Sequence, residues 1–80
     1  MNRIRAAEKK RKARLIFPRT YETILDAKAG GIPALDVWNT MKKSLAGREG
    51  MSASAFAATL AEYHGYIVEI YQIDGKDLPL

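Results

Sequence analysis

The chain has 80 residues, no cysteine, one histidine and a formal net charge of +4, and this length suits one small domain. The absence of cysteine excludes disulfides and thiolate metal sites, and no run approaches the ~18 apolar residues that a membrane-spanning helix needs. We therefore expect a cytoplasmic protein with no cofactor, no membrane segment and no secretory signal.

Positive charge is concentrated at the start of the chain. Residues 1–19 hold eight basic residues and one acidic residue, a net charge of +7, whereas residues 20–80 hold five basic and eight acidic residues, a net charge of −3. Residues 1–13, which we call the basic arm, have almost no apolar face to bury, so we expect them to be flexible. The basic residues of this region are Arg3, Arg5, Lys9, Lys10, Arg11, Lys12, Arg14 and Arg19.

Residues 14–80 are predicted to form a small helical domain. The apolar run at residues 14–17 predicts either a short strand or a segment packed on the core. Pro18 disfavours a longer helix through this point. Thr20 is the predicted N-cap of a first helix that reaches about Ala29, with Gly30 and Gly31 as its stop.

Two further helices are predicted from apolar spacing and caps. The second begins near Pro33, a residue that a first helical turn tolerates, and ends at Gly47. Ser52 predicts the N-cap of a third helix that ends at Gly65. The apolar stripe of the second helix is Ala34, Val37, Trp38, Met41 and Leu45, and that of the third is Phe56, Leu60 and Tyr63.

A C-terminal β-strand is predicted over residues 66–73, from Tyr66 to Ile73, because the run is dense in β-branched and aromatic residues. Such a strand needs a neighbour for its backbone groups. Either residues 14–17 or the same strand of a second copy would serve, and the second option predicts a homodimer.

The predicted fold class is therefore mainly α: a three-helix, helix-turn-helix-like unit with a short C-terminal strand and a flexible basic arm. In a helix-turn-helix protein the last helix enters the major groove of DNA. The third helix is poorly equipped for this, because it carries no Arg or Lys.

Catalysis has few candidates in this sequence. His64, read as the end of a helix, is explained by solvation or capping, and Ser52 and Ser54 are explained by a cap and an exposed polar face. No phosphate-cradling glycine loop with its lysine is present. We expect that the protein is not an enzyme.

The basic arm favours a polyanionic partner, because clustered cations gain affinity by releasing the counterions of nucleic acid. A charged solubilising tail is the simpler reading, and a membrane surface is a rival that the scarcity of bulky apolar residues disfavours. DNA is the predicted partner. Besides the eight basic residues of positions 1–19, the predicted DNA contacts on the helical unit are Lys42, Lys43, Arg48, Ser52 and Ser54.

A resemblance to a known family supports this reading over about half the chain. It rests, in order, on Phe17, Ile24, Gly31, Val37, Trp38, Met41, Ser54 and Phe56. At these positions the chain resembles the TraK-type accessory proteins of plasmid conjugation, which join the relaxosome at the origin of transfer. The resemblance implies a basic N-terminal region, a helical unit and binding to transfer-origin DNA.

Two functions therefore stand as hypotheses. The first is a DNA-binding accessory protein of a mobile element, in plasmid transfer or its regulation. The alternative is a phage or plasmid inhibitor or adaptor that binds a host or defence nucleoprotein complex through its uncharged third helix and apolar strand.

Overall fold

The computed structural model describes residues 15–79, which form three α-helices and one turn of 3-10 helix. The helices are α1 (Pro18–Ala29), α2 (Ala34–Ala46) and α3 (Ala53–Tyr71), and the 3-10 turn is Gly75–Asp77. The mainly α fold class is confirmed. The helix-turn-helix geometry stays a prediction, and the basic arm lies outside the described residues.

Helix α1 begins at Pro18, two residues before the predicted N-cap, so Thr20 lies inside the first turn and is not the cap. Proline suits this position because the first helical residue has no intrahelical partner for its N–H. The predicted stop is confirmed. Gly31 has a φ of +81°, a conformation that glycine adopts without strain, and the next N–H, of Ile32, donates to the carbonyl of Ala27 at 3.0 Å.

Helix α2 follows the prediction closely. Pro33 is the N-cap residue in an extended conformation, and Gly47 ends the helix. Val37, Trp38 and Leu45 are buried. The apolar stripe therefore faces the core as its spacing indicated.

Helix α3 starts as predicted but ends elsewhere. The Ser52 hydroxyl caps it by accepting the Ala55 N–H at 3.1 Å. The predicted stop at Gly65 is wrong, since the helix continues for six more residues to Tyr71. Gln72, in the left-handed conformation with a φ of 54°, ends it.

The predicted β-strand at residues 66–73 is wrong, and residues 15–79 contain no strand. Tyr63, Tyr66, Ile67 and Ile70 are buried, at the three- and four-residue intervals of one helix face. Packing of this face against α1 and α2 overrides the strand propensity of the individual residues. The predicted homodimer depended on pairing of this strand with that of a second copy. That basis is lost, because the segment is helical and these side chains lie in the core.

The C-terminal residues fold back onto α2 and α3. Leu78 is buried, and the Trp38 indole N–H donates to the carbonyl of Pro79 at 2.8 Å. His64 lies within α3 rather than at a helix end, and its Nε2 is 3.1 Å from the carbonyl oxygens of both Gly75 and Leu78. Since both partners are acceptors, Nε2 carries the hydrogen and donates it. The reading of His64 as a terminal residue is therefore wrong.

No helix in the part of the chain that the structure describes combines the length and the apolarity required to cross a membrane.

Candidate nucleic-acid interface

The first described residues of the domain, which follow the basic arm, are held on α3. We call residues 15–17 the tether. The Phe17 N–H donates to the Tyr66 hydroxyl at 3.0 Å. The Phe17 ring packs edge-on against Tyr63, with ring centroids 5.5 Å apart. Of the two readings of residues 14–17, the structure confirms the core-packed segment for Leu15 and Phe17, whereas Ile16 is 66% exposed and Arg14 lies outside the described residues.

Burial raises the pKa of the Tyr66 hydroxyl above its ordinary value, and Glu62 raises it further, while the Phe17 N–H acts in the opposite direction. The hydroxyl therefore stays neutral at ordinary pH. Tyr66 also packs edge-on against Tyr21, with ring centroids 5.3 Å apart, and the Tyr21 hydroxyl donates to Glu69 at 2.5 Å. This cluster joins the tether, α1 and α3 into one packed unit.

A groove of about 270 Å³ lies between α1 and α2. Two cationic side chains line it, Arg19 from α1 and Arg48 from the loop after α2. Among residues 15–79 no acidic residue lines it, and the other lining residues are Thr20, Thr23, Thr40, Ser44, Met41 and Tyr63. We call this the α1–α2 groove, and its charge and donors suit an anion.

The start of α1 adds to the positive potential at the groove. Phe17 is the N-cap residue and gives no side-chain cap, and the first turn holds no acidic residue. Unsatisfied N–H groups at a helix start carry partial positive charge. Arg19 and Thr20 belong to both this first turn and the groove.

The structure brings together only part of the predicted DNA-contacting set. Arg19 and Arg48 share the groove. Lys42 does not join them, because its Nζ donates to the Pro79 carbonyl at 3.1 Å and lies 5.4 Å from the centre of the Trp38 ring. Lys43 is exposed near the end of α2.

Ser52 and Ser54 lie at the start of α3, where the Ser52 hydroxyl serves as the cap and lies 3.3 Å from that of Ser54. Their place is explained by helix capping. The remaining predicted residues lie outside the described part of the chain: Arg3, Arg5, Lys9, Lys10, Arg11, Lys12 and Arg14.

Sequence reasoning missed the hydroxyl side chains of the groove. Thr20 and Thr23 are three residues apart, and Thr40 and Ser44 are four apart. These intervals place each pair on one helix face. The spacing could have indicated a polar strip beside each apolar stripe, but not that the two strips face one groove.

Helix α3 offers a different surface. It carries two acidic residues, Glu62 and Glu69, and no Arg or Lys. A shallow depression of about 280 Å³ on it is lined by Ala57, Leu60, Ala61 and His64. This face has the chemistry of a protein contact rather than of a phosphate contact.

Residues 15–79 contain no group of three or more His, Asp or Glu side chains placed to hold a metal ion. In the comparisons with known proteins, no family model, no curated protein and no solved structure matches the chain.

Proposed function

We propose that this protein binds DNA, with the basic arm as the main source of affinity and the helical domain as its positioning element. The charge distribution supports the proposal. Residues 1–14 hold seven basic residues and one acidic residue, a net charge of +6, whereas residues 15–79 hold six basic and eight acidic residues, a net charge of −2. Attraction to phosphate therefore depends on the first residues of the chain.

The tether supports a positioning role for the domain. Fourteen residues can extend over at most about 45–50 Å, and Phe17 holds the end of this stretch against Tyr63 and Tyr66. Tyr63 also lines the α1–α2 groove. The end of the arm is therefore held close to the α1–α2 groove, which Arg19 of α1 and Tyr63 of α3 both line.

This docking differs from a helix-turn-helix in which the third helix reads bases. An alanine-rich helix with two acids lacks the Arg, Lys, Asn and Gln side chains that recognise base edges. We propose that α3 serves as the core helix and that α1 and α2 face the DNA. The wider role, as an accessory protein of plasmid transfer or its regulation, rests on the resemblance to TraK-type proteins.

The test compares two variants of the full chain, one that removes positive charges from the arm and one that keeps them. Replacing Lys9, Lys10, Arg11 and Lys12 with Gln is expected to lower affinity for duplex DNA about a hundredfold or more in 0.1 M salt, because about four phosphate contacts are lost. The control replaces Lys9, Lys10 and Lys12 with Arg, keeps every charge and is expected to bind like the wild type. Full affinity in the Gln variant would contradict the proposal.

A protein-binding role is the second candidate, favoured by the depression on α3 and by two exposed apolar side chains, Ile32 and Leu35, each 46% exposed. Recovery of one stoichiometric protein partner, together with no DNA shift at low salt, would decide for it. Replacing Ala61 with Glu in the depression should then abolish the complex, whereas DNA binding should be unaffected by this change.

A further inference from the structure

We infer that the α1–α2 groove is a discrete site for one phosphodiester group of a nucleic-acid backbone. The inference rests on the proposed function and deepens it, because it assigns a specific contact to the folded domain. The arm supplies attraction along the whole strand, whereas the groove would hold one backbone position.

The lining defines the charge of the ligand. Arg19 from α1 and Arg48 from the loop after α2 line the groove, and no carboxylate of residues 15–79 lines it to neutralise them. A guanidinium presents several N–H donors in a planar fork that matches two phosphate oxygens. The site therefore favours an oxyanion over a cation or a neutral group.

Hydroxyl groups supply the remaining donors. The Thr23 hydroxyl already donates to the carbonyl of Arg19 at 2.9 Å. Within residues 15–79 the hydroxyls of Thr20, Thr40 and Ser44 make no such bond, so these are the hydroxyls that we assign to the ligand. A volume of about 270 Å³ exceeds the ~30 Å³ share of one water several times over, so a tetrahedral phosphate with its ester atoms can enter.

The groove is continuous with the tether. Phe17 is the N-cap residue of α1, and Arg19 follows two residues later. Tyr63 contacts the Phe17 ring and also lines the groove. The tether therefore ends two residues before Arg19, which lines the groove together with Arg48.

The test uses the full chain and measures affinity for a short duplex over a range of salt concentrations. Replacing both Arg19 and Arg48 with Gln is expected to reduce the slope of log affinity against log salt by about 1, the value for one lost phosphate contact, and each single replacement by no more than that. Lys76→Gln is the matched control, since it removes one exposed charge outside the groove and should change the slope by much less than 1.

A second readout uses inorganic phosphate alone. In the wild type, titration should give saturable amide shifts at Thr20, Thr40 and Ser44, and these should be lost in the double variant R19Q/R48Q. A double variant with the slope of Lys76→Gln and no saturable shift in the wild type would overturn the inference. The arm variants then still decide the proposed function, because they leave the groove unchanged.

Discussion

Tyr66 is the residue on which most contacts of the tether depend. Its side chain is 1% exposed, and its hydroxyl accepts the Phe17 N–H. We expect Tyr66→Phe to lower the free energy of unfolding by about 1–2 kcal/mol, because a partly buried N–H loses its acceptor. Urea denaturation measures the change. Tyr71→Phe is the control, since its hydroxyl donates to the Ile32 carbonyl at an exposed position, and a larger loss there would contradict this reading.

Alkaline pH should destabilise the fold through the same side chain. Burial raises the pKa of both Tyr66 and Tyr71 above the ordinary value of about 10. As the pH rises, the unfolded chain therefore releases these protons before the folded chain does. The contribution of the two hydroxyls to the free energy of unfolding is fully present below pH ~10 and is lost as the pH rises further. Unfolding measured between pH 9 and pH 11 should show a shallower fall in Tyr66→Phe than in the wild type. Equal slopes would show that the folded-state pKa is ordinary.

At the scale of elements, local signals predicted the helices wherever a cap or a stop decided the boundary. Gly31, Pro33, Gly47 and Ser52 lie at helix ends as expected. Gly65 was misread because a glycine inside a helix looks like a stop in the sequence. Nothing lies within 4 Å of an added Cβ there, so this glycine is a tolerated interior residue.

Gly65 therefore gives a test of the uninterrupted helix α3. Gly65→Ala should raise the free energy of unfolding by about 0.5–1 kcal/mol, because alanine loses less backbone entropy in a helix. Gly75→Ala is the contrasting variant, since its Cβ would lie 3.0 Å from Cε1 of His64, and it should be destabilising. Thermal unfolding compares the two. Loss of stability in Gly65→Ala would indicate that helix α3 is interrupted at this position.

The C-terminal strand failed as a prediction for a related reason. The run from Tyr66 to Ile73 has high strand propensity, but propensity depends on which neighbours a side chain meets. Tyr66, Ile67 and Ile70 meet α1 and the rest of the core. Such long-range contacts cannot be read from a local window of sequence.

At the scale of the whole molecule, the sequence predicted the charged residues of the site but not their grouping. Arg19 and Arg48 are 29 positions apart, and the packing of α1 and α2 on α3 brings them to one groove. Lys42 lies outside this groove, and its Nζ donates to the Pro79 carbonyl. Its contact with DNA stays a prediction.

The separation of a cationic arm from an acidic body predicts steep salt dependence for the entire protein. With about six phosphate contacts, affinity for DNA should fall about a thousandfold between 50 and 200 mM salt. Fluorescence anisotropy of a labelled duplex at four salt concentrations measures the slope. A slope near zero would show that the arm does not contact phosphate.

Both ends of the described chain are attached to a single turn of α3. Tyr66 bonds to Phe17 on one side, and His64 bonds to Gly75 and Leu78 on the other. Fraying at either end would therefore break a contact with this turn. Amide hydrogens in the middle of α3 should exchange with solvent only through cooperative opening of the whole domain. This turn is therefore expected to be among the slowest-exchanging parts of the fold.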